Sequence, residues 1–255
     1  MRKVFTLALV STLLLSISCR DNEKLLPDCT GAVWGYRGTD GPGFWKDICQ
    51  NYGDCGGEAQ SPVNIEGAVD DNSLEPLAIR SADSEIHALN NGLTVAFTMD
   101  PGSELTFNGV TYQLEQFHFH TPGEHTVDGF SYPVEVHFDY KAPQSGQLAV
   151  VSMFVREGAI NPFLTQIVPQ LPSSGQEYHD PAFINPGAFL PANLSYHTYT
   201  GSLSTPPCTE NVTWIVLENP VEASANQIGA FVNKQGRNNR PLQQLNGRVI
   251  RHFHQ

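Results

Sequence analysis

No run of lysine or arginine occurs anywhere in these 255 residues, and 14 Lys and Arg stand against 26 Asp and Glu, for a formal charge of −12. A chain with no basic patch lacks the electrostatic footprint of a nucleic-acid binder, which argues against nucleic acid as a partner. Charged residues of both signs are scarce, at 16%. No C-x-x-C pair is present, so the spacing gives no support to a cysteine-rich zinc site. There is no internal repeat and no low-complexity tract, and helical periodicity is weak, confined to 158–170 and 222–235. What the chain does have is 22 Gly and 18 Pro punctuating many short apolar runs. That pattern suits a β-rich domain better than a helical bundle. A chain of this length buries one sizeable core without needing a second domain.

The first residues are read apart from the fold. Met1-Arg2-Lys3 is a basic start, and VFTLALVSTLLLSIS is an apolar run too short and wrongly flanked for a spanning helix. It ends at Cys19, after the Leu13–Leu15 run and small Ser18, and resembles a bacterial lipoprotein signal. On that reading residues 1–18 are removed and Cys19 is lipidated as the first mature residue. Ordinary secretion, with Cys19 removed or left free, is the alternative. Either route exports the chain to the periplasm or cell surface, and a lipid on Cys19 is its only hold on a membrane. Residues 19–31, polar with Pro and Gly, read as a tether, and 32–255 as one domain. In an oxidising compartment the even set Cys29, Cys49, Cys55 and Cys208 implies two disulfides, in any of three pairings.

Strand-like runs at 93–99, 104–120, 133–140, 147–155 and 212–218 alternate with turns, and Asn108-Gly109 is a hairpin signal. The expected fold class is mainly β with some α, a single domain on a large, mainly antiparallel sheet. In QFHFHTPGEH (116–125), a period of two puts Gln116, His118 and His120 on one face and Phe117 and Phe119 on the other. A polar strand edge with locally satisfied histidines would read the same way. PVEVHFDY (133–140) adds Glu135, His137 and Asp139 on one face. If the two strands pair, three imidazoles converge and leave a fourth tetrahedral position open, the pattern of a catalytic rather than a structural zinc. Metal-bound imidazoles need a partner on the other ring nitrogen, and Gln116 and Glu135 are placed to supply one. TGSLSTPPC (200–208) adds hydroxyls on a Pro-stiffened loop.

With WGY (34–36), QSPVNI (60–65), LNNG (89–92), QFHFH (116–120), EHTVDG (124–129), EVH (135–137), GSLSTPPC (201–208), VTWIVLE (212–218) and NRP (239–241), the chain resembles an α-class carbonic anhydrase from Trp34 to Arg248. The resemblance implies a twisted, mainly antiparallel central sheet with short peripheral helices. It implies reversible hydration of CO2 to bicarbonate and a proton, with zinc-bound hydroxide as the nucleophile. This enzyme class is itself the standard case of zinc lowering the pKa of bound water to about 7. It also implies His118, His120 and His137 as zinc ligands, with Gln116 and Glu135 behind His118 and His137. Ser204 takes the place of the usual Thr, the hydroxyl that accepts from hydroxide and donates to Glu124, and Thr205 contacts substrate or bicarbonate. Tyr36 and Asn91 fall in the solvent network, and Val150, Leu203, Val212 and Trp214 in the apolar CO2 pocket. His125 matches a structural histidine. Cys55 and Cys208 match a disulfide common in secreted members, which leaves Cys29 with Cys49.

Three positions depart from the family pattern. Ser204 keeps the hydroxyl and loses the methyl that helps fix its rotamer. Leu93 replaces the proton-shuttle histidine of fast members, so proton export falls to buffer or to another group such as His87. Asp139 takes an apolar pocket position, where a bulge must turn it outward or a partner must satisfy it. Two other classes compete with the enzyme reading. The complete histidine set and Glu124 argue against a catalytically silent binding module. No extra metal ligand or oxyanion-binding motif supports a zinc hydrolase acting mainly on esters or phosphoesters.

Overall fold

Short runs of alternating apolar residues build one thirteen-stranded sheet in the computed structural model, which describes residues 26–255. The signal reading over 1–18, lipidation of Cys19 and the first part of the tether lie outside the described residues. Ten strands form one continuous path: β1 (Val69–Asp70), β2 (Ser84–Asn90), β3 (Val95–Thr98), β4 (Val110–His120), β5 (Val134–Lys141), β6 (Leu148–Glu157), β7 (Gln176–Ile184), β8 (Tyr196–Ser202), β9 (Glu210–Leu217) and β10 (Arg251–Phe253). Their spatial order is β7-β2-β3-β4-β5-β6-β9-β8-β10-β1. Pairing along this path is antiparallel except at β6–β9 and β10–β1, so the sheet is mixed, with antiparallel neighbours in the majority. Among the described residues no helix is long and apolar enough to cross a membrane.

The local signals act as their chemistry requires. Asn108 and Gly109, at φ 48 and 74, turn the chain tightly into β4. The run expected from residue 93 begins as a strand only at Val95, because Asn91 Oδ1 accepts from the amides of Leu93 and Thr94 and bends them into a turn. The two weak helical stretches shorten to α1 (Pro162–Ile167) and α2 (Ala225–Gln235). Asn161 caps α1 ahead of Pro162, and Ser224 and Gln227 form a capping box on α2. Both disulfides, Cys29–Cys49 and Cys55–Cys208, are formed.

The core lies on both faces of the sheet. One face carries Phe97, Phe117, Phe119, Val136 and Phe138, covered by the helices, with Phe231 of α2 stacked on Phe119 at 4.0 Å. The other packs Val63, Ile65, Val150, Phe154 and Trp214. Each such side chain contributes about 1.5–3 kcal/mol by leaving water. In β4 the buried positions switch from Tyr112 and Leu114 to Phe117 and Phe119. Asp139 of β5 faces Gln116 while Tyr140 faces Leu114, so Glu115 is an extra residue in β4. This bulge resets the alternation. The apolar side chains stay in the core on both sides of it, and Gln116 and His118 turn to the opposite face.

Candidate metal centre

The pairing of β4 with β5 sets His137 opposite His118 and Glu135 opposite His120. His118 Nε2 and His120 Nε2 lie 3.1 Å apart, and the three imidazoles each offer an atom within 4.8 Å of the others. The outer nitrogens are engaged elsewhere. His120 Nδ1–H donates to the Asn238 carbonyl at 2.7 Å, and His137 Nε2–H donates to Glu135 Oε1 at 2.8 Å. His118 Nδ1 faces Asp139 Oδ2 at 3.4 Å without a closed hydrogen bond. His118 Nε2, His120 Nε2 and His137 Nδ1 are left for a shared cation. Burial, and then the neighbouring imidazoles, push His120 well below the usual range. Burial also lowers His137, against the pull of Glu135. Neutral imidazoles with a fourth direction open are a donor set that fits zinc.

Gln116 does not partner His118. Its Nε2 donates to Asp139 Oδ2 at 2.9 Å, and the carboxylate stands between the amide and the ring. The bulge at Glu115 brings Asp139 opposite Gln116, and a carboxylate is the stronger acceptor. Asp139 therefore lines the cavity as a satisfied group rather than a stray charge. Burial opposes its ionisation, but His118 and Gln116 hold it below the ordinary carboxylate range.

Glu135 is fully buried and gathers more donors than any ligand requires. Its Oε2 accepts from the backbone amides of Glu124 and His125 at 2.6 and 2.7 Å. Its Oε1 accepts from His125 Nδ1 at 2.6 Å and Ser152 Oγ at 2.6 Å, besides His137. Burial alone would raise this carboxyl, yet the two histidines hold it well below the usual range. His125 passes the network on, with Nε2 2.7 Å from the Tyr199 hydroxyl. It lies outside the group formed by His118, His120 and His137, but with Glu135 and His137 it makes a second, fully buried set of donors within 4.8 Å of one another.

Glu124 Oε1 accepts from the Arg240 amide at 2.7 Å and lies 3.4 Å from His120 Nδ1. Its Oε2 has no hydrogen-bond partner among the described residues. Burial pushes Glu124 up to about 8, with the Arg240 amide and the neighbouring Ser204 hydroxyl pulling the other way. Arg240 is buried under Trp45, 5.3 Å from its ring, and donates to Gln60 Oε1, the Ser61 carbonyl and the Cys55 carbonyl.

A cavity of about 350 Å³ opens over the three histidines. Val150, Leu203 and Trp214 give it an apolar wall, and Ser204, Thr205, Tyr36 and Asn91 also line it. Val212 does not line it. It is fully buried in the apolar layer with Val63, Ile65 and Trp214, where it supports the wall from behind. Gly201, at the head of the Ser204 loop, admits no side chain, because a Cβ there would overlap Ser61 Oγ and the rings of Tyr199 and Trp214. Leu93 sits outside this cavity, in a separate depression with Gly92, Gln235 and Arg237.

Residues 40–254 match the family described as eukaryotic-type carbonic anhydrase. The chain belongs to the carbonic anhydrase family. The carbonic anhydrase of Pectobacterium carotovorum is 37% identical over 99% of this chain and 100% of its own. That of Nostoc is 39% identical over 85% of this chain and 84% of its own. Among solved structures, the α-carbonic anhydrase of Thermovibrio ammonificans, in complex with the inhibitor sulfanilamide, shares 39% identity at a TM-score of 0.83, covering 86% of this chain and 99% of its own. A hyperthermostable carbonic anhydrase from a hydrothermal vent chimney shares 40% at 0.84, over 87% and 100%. As a carbonic anhydrase the chain is an enzyme, and members of this family in general hydrate CO2 and depend on zinc.

Three participants escaped the sequence reading. Asn238 acts through its backbone carbonyl, which carries no residue-type signal. Ser152 is a lone hydroxyl in an apolar run and Tyr199 is one hydroxyl among several in YHTYTGS, so neither stands out until the buried carboxylate or imidazole it meets is known.

Proposed function

We propose that this chain hydrates CO2 reversibly to bicarbonate and a proton, with zinc held by His118, His120 and His137. The observation that carries the reading is the convergence of three imidazole nitrogens beneath an apolar wall, with His120 and His137 hydrogen-bonded from behind and His118 facing the Asp139 carboxylate. Zinc bound there supplies a Lewis acid that makes hydroxide available near neutral pH. Glu124 Oε2 is buried without a partner among the described residues and Ser204 neighbours that carboxyl, so the Ser204 hydroxyl is the group that would turn its proton toward Glu124 and its lone pair toward a nucleophile held at the metal, fixing the direction of attack. Val150, Leu203 and Trp214 provide the surface against which CO2 lies, and the Thr205 hydroxyl meets the bicarbonate oxygens. Asn91 spends its Oδ1 on the turn at 93–94, so its amide nitrogen and the Tyr36 hydroxyl are the groups left for ordered solvent.

Zinc content and CO2 hydration, both measured in wild type and His120→Ala, test the reading. Wild type should bind one zinc at this centre and turn over CO2, and the variant should lose both. A zinc-loaded wild type that cleaves esters but leaves CO2 untouched would overturn it. We also propose that the protein works outside the cytoplasm, held by lipid on Cys19; two disulfides agree with an oxidising compartment. Labelled fatty acid should enter wild type and not Cys19→Ala.

A further inference from the structure

The three-histidine centre is built on a simple template: two residues at i and i+2 of one strand, with a third directly across on the neighbouring strand. His118 and His120 supply the first two positions, and His137, opposite His118, supplies the third. The same template recurs on the same sheet. Glu85 and His87 lie two apart on β2, and His179 of β7 stands directly opposite His87. The side chains point the same way as the first set. His87 pairs with Thr98, which pairs with Gln116, so the cross-strand row runs from His179 to the face that carries His118.

We propose that Glu85, His87 and His179 form a second metal site, selective for late first-row divalent cations such as zinc and independent of the His118 centre. Each residue offers a donor atom within 4.8 Å of the others. The two rings stack at 4.5 Å with their Nδ1 atoms 2.8 Å apart. Their other nitrogens turn to carboxylates: His179 Nε2 lies 3.5 Å from Glu85 Oε2, and His87 Nε2 lies 3.7 Å from Asp100 Oδ1 and 4.0 Å from Glu85 Oε2. Two imidazoles with a carboxylate, and Asp100 within reach as a fourth donor, are the ligands such cations take; calcium or magnesium would want oxygens throughout. All four side chains are at least a third exposed, so the site is open to exchange with solvent.

The position gives the metal a structural task. Among the described residues β7 is an edge strand, held only by β2 on the sheet path, and its register with β2 slips between Asp180 and Phe183. A cation bound by His179 and by Glu85 and His87 would clamp that edge strand to its neighbour. Leu89, two residues beyond His87, lines both a shallow depression shared with His87, Asp100 and His179 and the cavity over the three histidines, so the second metal would sit at the cavity's rim.

The test is a zinc titration of the purified enzyme already holding its first zinc, followed by calorimetry and metal analysis, at a pH above the imidazole range. Wild type should take up a second equivalent, and His87→Ala and His179→Ala should bind that equivalent at least ten-fold more weakly. His179 lies outside the catalytic centre, so His179→Ala should keep its CO2 hydration, which shows that it is folded. His120→Ala should lose the first equivalent and keep the second, which separates this site from the catalytic one. A single equivalent in wild type would overturn the proposal. So would a second equivalent that survives loss of both His87 and His179 and disappears in His254→Ala, because it would then belong to the Asp70, His252 and His254 group.

Discussion

The Asp139 carboxylate stands 3.4 Å from His118 Nδ1 while accepting a 2.9 Å hydrogen bond from Gln116. One residue thus lines the cavity over the three histidines and stands behind a proposed metal ligand at once. Removing it takes away the carboxylate that faces His118 Nδ1. Asp139→Val should lower zinc affinity about 10- to 100-fold, the usual effect of losing a group that orients a metal-bound imidazole. Asp139→Asn keeps an acceptor oxygen and should lose less. Competition against a chelator measures both, and equal affinities for wild type and Asp139→Val would show that the carboxylate braces nothing.

Position 93 carries an alkyl side chain beyond the cavity rim, where no proton can be held. Turnover in dilute buffer should therefore be limited by proton removal and rise steeply with added imidazole-type buffer. Leu93→His should raise kcat in dilute buffer about ten-fold and leave kcat/KM nearly unchanged, since an imidazole titrates near 6.5. A kcat indifferent to both buffer and substitution would move the slow step to the attack on CO2.

The Cys55–Cys208 bridge joins residues 153 apart and lies in a buried cluster with Trp45. Replacing both cysteines by serine should cost about 3–5 kcal/mol in urea unfolding, by the loop-closure reckoning. The Cys29–Cys49 bridge closes only 20 residues and should cost less. Ser204 and Thr205 sit just before Cys208, so activity should fall at temperatures where the bulk of the fold survives. An unchanged unfolding midpoint would remove the bridge from the stabilising interactions.

His197 stacks on His252 at 4.4 Å. Burial, and then the charge of His252, push it down to about 4, with His254 acting in the same direction and Glu218 and Asp128 against. The unfolded chain binds a proton here that the folded chain refuses, so stability is complete above pH 6.5 and drains away as pH falls toward 4. Partial exposure reduces the loss to about 1–2 kcal/mol. His197→Asn should flatten the dependence of the melting temperature on pH in that window. A slope that persists in the variant assigns the effect to other groups.

Much of the site could be read from periodicity. A period of two placed His118, His120 and His137 on one face, and the phenylalanines between them were bound to be core. The braces behind the ligands were harder to read. Glu135 was legible because it shares a strand face with His137. Gln116 was misread because which of two acceptors meets a ring depends on a one-residue bulge at Glu115, and no residue type announces it. Val212 shares a face with Trp214, yet the cavity's extent decides which of them it reaches, and only packing sets that extent. The parallel join of β6 to β9 was hidden for a related reason: strand runs are local, and their direction in the sheet is not.

The groups that brace the centre come from far apart in the chain. The acceptor for His120 lies 118 residues further on, at Asn238, and the amide that holds Glu124 lies 116 residues further on, at Arg240. The Arg240 side chain then reaches back 180 residues to Gln60. A chain still emerging from a ribosome or a translocation pore presents its three histidines with nothing behind His120 and nothing above Glu124. If the three histidines hold a metal as proposed, capture in this geometry would wait for residues 238–240 rather than for the histidines themselves.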